Sequence, residues 1–99
     1  MPRHRTISEG ALEHIANKHL WGGEYHAKGE MQNVFAQEID AGKLNKFIEE
    51  TAQFGEEVPQ GIDYAFDDVT TGVQGQNGIR LFVDEFGNLK SAQPKDVWQ

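Results

Sequence analysis

Residues 61–94 read GIDYAFDDVTTGVQGQNGIRLFVDEFGNLKSAQP, and their pattern predicts the β-sheet of the fold. Apolar and polar side chains alternate over residues 62–67 and again over residues 79–84. A period of two is typical of strands that bury one face. The Gly-, Thr- and Gln-rich residues 69–78 between them predict a long, mobile turn.

A hairpin turn is predicted directly after the second strand. Residues 84–88 read DEFGN, and Gly87 can adopt the positive φ that such turns need. A third strand is predicted over residues 88–93 and is ended by Pro94. The three strands together predict an antiparallel meander over about residues 61–94.

The first third of the chain predicts a helix. Ser8 is a suitable N-cap, and Glu9 in the first turn complements the helix dipole. Gly22 and Gly23 are expected to stop the helix, and residues 24–33 are expected to form a loop. The apolar residues at helical spacing are Ala11, Leu12, Ile15, Ala16 and Leu20.

A second helix is predicted after Asp40, which can cap it, and Gly55 suits the position just past its end. Residues 34–39 are expected to add one or two helical turns, and residues 56–60 a loop. The apolar face of this helix comprises Leu44, Phe47, Ile48 and Ala52.

These elements predict a single α+β domain over residues 1–99. Its helical part spans about residues 7–55, and its helices pack on one face of the small antiparallel sheet. Trp98 is expected to be a peripheral anchor. No apolar run approaches the roughly 20 residues of a membrane span, so no membrane segment is predicted.

Charge and histidine are unevenly distributed. The net charge is −7, and it arises entirely from residues 31–99, which carry five basic and twelve acidic side chains. Such a balance excludes a broad electrostatic grip on nucleic acid. Residues 1–30 are neutral and hold all the histidines, His4, His14, His19 and His26. The absence of cysteine excludes disulfides, thiol nucleophiles and thiolate metal sites.

His14 and Lys18 lie four residues apart on the first helix, so their side chains are neighbours. The ammonium favours a neutral imidazole beside it, and the pair could remove a proton from a hydroxyl and stabilise an oxyanion. The alternative is an exposed polar face without a function.

His19 follows Ile15 by four residues and therefore lies on the apolar stripe, where it is either a hydrogen-bonded core residue or part of a site at the helix end. His14 and His19 diverge by about 140° around a regular helix. That divergence, together with the lack of a carboxylate at ligand spacing, predicts no metal site, even if His26 joined His19.

The predicted sheet adds further polar candidates. Thr71 lies in the long turn, Arg80 begins the second strand, and Ser91 and Gln93 share a face of the third strand. Hydroxyl, guanidinium and amide groups can bind a phosphate or a base edge. Ordinary turn and strand composition is the alternative, and the set matters only if the sheet faces the His14 helix.

The order of these features resembles the barnase–EndoU–colicin–RelE (BECR) group of small ribonucleases. It is more narrowly similar to the C-terminal toxin domains of contact-dependent inhibition and other polymorphic toxin systems. The resemblance covers nearly the whole chain. It is carried by the pattern L-x-H-I-x-x-K-H over residues 12–19, by Phe35, by the helix near residues 43–53, by the strand–turn–strand unit over residues 62–83, and by the closing residues 91–94.

The resemblance implies a toxin endoribonuclease that cleaves RNA, with tRNA as the expected substrate, without a metal or another cofactor. A base takes the 2′-OH proton, the oxygen attacks phosphorus, and an acid protonates the leaving group, which gives a 2′,3′-cyclic phosphate. The catalytic residues carried over are His14, Lys18, His19, Thr71 and Ser91. Substrate contacts are expected from His26, Lys28, Arg80 and Gln93.

One position departs from the pattern of the group. Many members of the group close with Thr-Ala-Tyr/Phe-Pro, whereas this chain has Gln93 at the aromatic position. The departure argues against base stacking at this point.

The resemblance also implies a cognate immunity protein as a partner. It further implies delivery as the C-terminal part of a larger secreted toxin that acts in the cytoplasm of a target cell. The alternative is a non-enzymatic acidic binding protein: an immunity protein, an inhibitor or a nucleic-acid mimic. A third hypothesis is a nuclease-like fold that has lost its activity and retains only binding. If the protein is an acidic binding protein, the binding surface is formed by the carboxylates at 56, 57, 63, 67, 68, 84 and 85.

Overall fold

The computed structural model describes residues 7–97, so Trp98, His4 and the two N-terminal arginines lie outside the described part. The elements in chain order are α1 (Glu9–His19), α2 (Glu24–Ala27), a 3₁₀ turn (Met31–Asn33), α3 (Ala41–Phe54), β1 (Glu56–Val58), β2 (Gly61–Ala65), β3 (Gly78–Val83) and β4 (Leu89–Lys95). The strands form one antiparallel sheet in the order β1–β2–β3–β4. Helix α1 packs against β4, and α3 packs against β2 and β3, which confirms the predicted α+β class.

Helix α1 begins as predicted. The Ser8 hydroxyl accepts a hydrogen bond from the Ala11 amide at 3.1 Å. The helix ends at His19, three residues before the first predicted glycine stop, because Leu20 adopts an extended conformation. Gly22 then turns the chain with a φ of 88°. Ile15 and His19 are the buried residues of α1, so its buried face ends in an imidazole.

Helix α3 also begins at its predicted cap, with the Asp40 carboxylate accepting a hydrogen bond from the Lys43 amide at 2.8 Å. Gly55 follows the helix in an extended conformation with a φ of −70°, so no left-handed residue is needed there. The structure requires glycine for space instead, since a Cβ at Gly55 would lie 2.5 Å from Ile62 Cγ2.

The expectation for residues 24–39 is wrong in two places. Residues 24–33 contain α2 and the 3₁₀ turn rather than a plain loop. The segment around Phe35 is extended rather than helical, and Phe35 forms an isolated β-bridge with Gly72. The reason is tertiary: the Phe35 amide donates to the His19 carbonyl at 2.8 Å, and the Ala36 amide donates to the Thr71 carbonyl at 2.9 Å.

The sheet has one more strand than predicted. Glu56–Val58, expected to be a loop, pairs with the first residues of β2 to form β1. Strand β4 also continues past its predicted end to Lys95 and includes Pro94. Since β4 is an edge strand, the missing amide hydrogen of Pro94 does not interrupt the sheet.

The turn between β2 and β3 is tied to the rest of the fold, contrary to the expectation of a mobile turn. The Thr71 amide donates to the Gln76 carbonyl at 2.8 Å, and the Gln76 side chain donates to the Gln32 carbonyl at 3.3 Å.

The core lies between the sheet and the two long helices. Its largest fully buried hydrophobic side chains are Phe35, Ile15, Leu44, Ile48, Ile62, Ile79, Leu81 and Val34. Within residues 7–97, no helix has the length and hydropathy to cross a membrane.

Candidate functional site

His19 is the centre of the candidate site. It is only 4% exposed, although it is the last residue of α1. Its Nδ1 lies 2.7 Å from the Asn33 carbonyl oxygen, and its Nε2 lies 3.3 Å from Ser91 Oγ on β4. A carbonyl can only accept a hydrogen bond, so Nδ1 carries the proton of the neutral ring. Nε2 is therefore free to accept the hydrogen of the Ser91 hydroxyl.

Burial keeps this imidazole neutral. Desolvation lowers the pKa of His19 below its usual value, and the positive charges of His14 and Lys18 lower it further. The hydrogen bond to Asn33 acts in the opposite direction without reversing the shift. The His19 ring also packs on Tyr25, with the ring centroids 4.8 Å apart. His19 is thus a fixed neutral base next to a half-buried hydroxyl.

The structure does not pair His14 with His19. Helix α1 is regular between them, so His14 is exposed while His19 is buried. Lys18 lies between them in angle, is about one-third exposed, and forms an ion pair with Glu24 at 3.4 Å. The predicted neighbours His14 and Lys18 therefore lie on the solvent side of α1, and His19 has its partners on the protein side.

Two of the sheet candidates already have internal partners. Thr71 is fully buried, and its hydroxyl lies 2.6 Å from the Gly78 carbonyl and 3.1 Å from the Gln76 carbonyl. The predicted catalytic role of Thr71 does not fit this position, because a substrate cannot reach its hydroxyl. Arg80 makes two hydrogen bonds to the Asp63 carboxylate, at 2.7 and 2.9 Å, on the adjacent strand.

Arg80 lies on the same face of the sheet as Gln93 and Ser91, because it is in register with Gln93 across the β3–β4 pair. Ile79 and Leu81, on either side of it, are buried in the core. Asp63 is in register with Arg80, which explains their bidentate pair. The sequence predicts that Arg80 binds the substrate, but in the structure its guanidinium is already paired with the Asp63 carboxylate.

The remaining predicted contacts gather around α2. Glu24 binds Lys28 at 3.0 Å as well as Lys18, and the two ammonium groups lower its pKa. His26 accepts a hydrogen bond on Nδ1 from the Gly22 amide at 2.8 Å. Two lysines share one carboxylate, so this segment keeps a positive balance within an acidic protein.

Gln93 and Asn33 both line a separate groove of about 250 Å³. The other lining residues are Gln32, Gln76, Pro94, Lys95 and Asp96. Amide groups dominate this lining, so it can offer hydrogen-bond donors and acceptors to a base edge. The groove adjoins the His19 site through Asn33, whose carbonyl holds the imidazole.

Sequence reasoning missed several residues of the site. Asn33 acts through its backbone carbonyl, which no side-chain pattern reveals. Tyr25 and Glu24 lie in a segment predicted to be a loop, where their contacts with α1 were not foreseeable. In the described residues, no three His, Asp or Glu side chains gather as metal ligands.

Comparison of the chain with protein-family profiles, with curated proteins and with solved structures finds no match. The resemblance to small toxin ribonucleases therefore rests on the residues of this chain alone.

Proposed function

We propose that this protein is an endoribonuclease that cleaves RNA by attack of the 2′-OH on the adjacent phosphorus. The observation that carries the proposal is the His19–Ser91 contact, in which a buried, neutral imidazole accepts from a hydroxyl at 3.3 Å. A base held in one tautomer by a carbonyl is suited to general base catalysis. The helix histidine and the sheet hydroxyl are also the residue types that the resemblance assigns to the site.

In this proposal Ser91 relays the proton, because His19 itself is almost completely covered. The 2′-OH gives its proton to Ser91 Oγ while the Ser91 hydroxyl proton passes to His19 Nε2. The 2′ oxygen then bonds to phosphorus, the 5′ oxygen leaves, and a 2′,3′-cyclic phosphate remains. Lys18 stabilises the charge on phosphorus, and solvent protonates the departing 5′ oxygen, since His14 lies on the exposed side of α1, away from His19.

The biological setting of the proposal comes from the resemblance. A toxin of this type acts on tRNA in the cytoplasm of a target cell, is delivered as the C-terminal part of a larger chain, and is neutralised by an immunity protein. The acidic surface over residues 31–99 would suit such a protein partner better than it suits RNA.

The test is incubation of the folded protein with total tRNA in EDTA, followed by analysis of the cut ends. Cleavage with cyclic phosphate ends is expected. Ser91→Ala should reduce the rate about 10²-fold or more, the usual effect of removing a positioned proton-transfer group. Lys90→Ala, which changes the exposed neighbour on the same strand, should leave the rate unchanged. Intact tRNA after incubation with folded wild-type protein contradicts the proposal.

A second candidate function is that of an acidic binding protein. It is favoured by the ion pairs that the cationic side chains form with carboxylates. Lys18, Lys28 and Arg80 all face carboxylates, so few described cations remain for RNA. The acidic surface is smaller than the sequence suggests, since Asp63 binds Arg80 and Asp84 accepts from the Phe86 and Asn88 amides.

Asp67 and Asp68 remain exposed and provide the discriminating variant. Asp68 has a φ of 56°, which asparagine tolerates well, so the variant combines Asp67→Lys with Asp68→Asn. For a binding protein, this variant should lose its partner in a pull-down with the candidate immunity protein or target. For a ribonuclease, it should cleave tRNA as fast as the wild type or faster.

A further inference from the structure

The segment from Lys18 to Lys28 differs in chemistry from the rest of the protein. It carries two ammonium groups against the single carboxylate of Glu24, in a chain of net charge −7. It also holds two imidazoles and two large aromatic rings, those of Trp21 and Tyr25. Cations interleaved with aromatic rings are the composition that single-stranded nucleic acid requires.

Trp21 is held in place and remains accessible. Its indole stacks on the His26 ring with the centroids 3.9 Å apart and the planes tilted by 35°. The His26 ring is itself fixed, because its Nδ1 accepts a hydrogen bond from the Gly22 amide. Even so, 41% of the Trp21 surface is exposed. A fixed and exposed indole loses little conformational entropy when another flat ring stacks on it.

The neighbouring groups complete a nucleotide-binding arrangement. His26 Nδ1 is an acceptor, so the neutral ring carries its proton on Nε2 and can donate from there. Lys28 lies two residues after His26 and is 55% exposed. The His26 Nε2–H group and the Lys28 ammonium can donate hydrogen bonds to phosphate or base oxygens next to a stacked base.

Among residues 7–97, the other exposed aromatic residues lack these features. Phe86 is 79% exposed at the tip of the β3–β4 hairpin, directly after Glu85. Phe54 is 61% exposed at the end of α3, two residues before Glu56. Acidic neighbours repel a phosphate backbone, so neither ring is placed to receive a nucleotide.

We propose that Trp21, backed by His26, is the stacking platform for an unpaired RNA base beside the scissile phosphate. The inference rests on the proposed ribonuclease function and deepens it, because it assigns a single-stranded substrate and a specificity-determining residue. It also places stacking on α1–α2 rather than at Gln93, where the resemblance leads one to expect an aromatic side chain. Lys18 and Lys28, which share the Glu24 carboxylate, then supply the positive charge beside the phosphates of that nucleotide.

The experiment uses the Trp98→Phe variant of the full chain, in which Trp21 is the only indole. The probe is a mixed-sequence, single-stranded 2′-O-methyl RNA hexamer, which has no free 2′-OH and is not cut. Stacking should quench the Trp21 fluorescence. A hexamer of abasic sugar phosphates with the same charge should not quench it.

Affinity is measured separately by the anisotropy of a labelled hexamer. Trp21→Ala should weaken binding about 5- to 150-fold, which corresponds to the loss of one stacked base. Trp21→Phe should retain most of the affinity. Phe86→Ala, which removes an aromatic ring that is even more exposed, is the matched control and should bind as the wild type does.

Equal binding of the abasic hexamer overturns the inference, and so does unchanged affinity in Trp21→Ala. If that variant binds normally while the wild type cleaves tRNA, the ribonuclease proposal stands without the platform. If Trp21 is quenched by the hexamer while tRNA stays intact, the platform stands and the cleavage proposal fails. Quenching by a partner protein but not by the hexamer assigns Trp21 to a protein interface and also overturns the inference.

Discussion

At the scale of single residues, the buried His19 makes the stability of the fold depend on pH. Its pKa is lowered in the folded protein, so the unfolded chain binds more protons between the folded pKa and about pH 6.5. The free energy of unfolding should therefore fall as the pH drops below about 6.5 and level off below the folded pKa. The lowered carboxyl pKa values of Glu24 and Asp84 act only at more acidic pH.

Urea denaturation at pH 7.5 and pH 5.0 measures this effect. The wild type should be less stable at pH 5.0, and His19→Gln should remove most of the difference, because the buried titrating group is gone. His14→Gln, at the exposed histidine of the same helix, should keep most of the wild-type difference, because desolvation is the main cause of the lowered His19 pKa. Equal stability of the wild type at the two pH values contradicts the assignment of a buried neutral imidazole.

At the scale of elements, Gly61 is the position on which the meander depends most. A Cβ at Gly61 would overlap the Leu81 carbonyl oxygen on β3, and the backbone φ of 156° is itself unfavourable for other residues. Gly61→Ala should therefore lower the free energy of unfolding by about 2 kcal/mol or more, because the β2–β3 pairing must separate. Gly10→Ala, in open space on α1, should be neutral or stabilising by up to about 1 kcal/mol. Thermal denaturation of the two variants compares them directly, and equal melting temperatures contradict the prediction.

At the scale of the whole molecule, the uneven charge predicts a weak dependence of RNA binding on salt. The cations proposed for the RNA are Lys18 and Lys28, and the N-terminal Arg3 and Arg5 could add two more. About four phosphate contacts give a slope of log K against log salt near −2.8 for a single strand, and two give about −1.4. Anisotropy titrations between about 50 and about 300 mM salt measure the slope. A slope steeper than about −4 requires a broader basic surface than this chain presents.

Local sequence patterns are sufficient to predict the fold class and most of its elements. The period of two over residues 62–67 and 79–84 corresponds to β2 and β3, and the caps Ser8 and Asp40 mark the true helix starts. These patterns missed β1, whose residues Glu56–Val58 have no alternation and pair only because β2 turns back on them. The extended path of Phe35 depends likewise on partners distant in sequence.

For the site, sequence alone determined which residue types were available, and tertiary structure decided which of them meet. It identified His19 and Ser91, but only packing of α1 against β4 brings residues 72 positions apart to 3.3 Å. The sequence also predicted Thr71 and Arg80 as site residues. Their side chains are hydrogen-bonded to Gly78 and Asp63 and are therefore not available to a substrate. The physical reason is that spacing along a helix or strand fixes only which side chains share a face. Burial, tautomer and the availability of a charged group depend on the neighbours that the folded chain supplies.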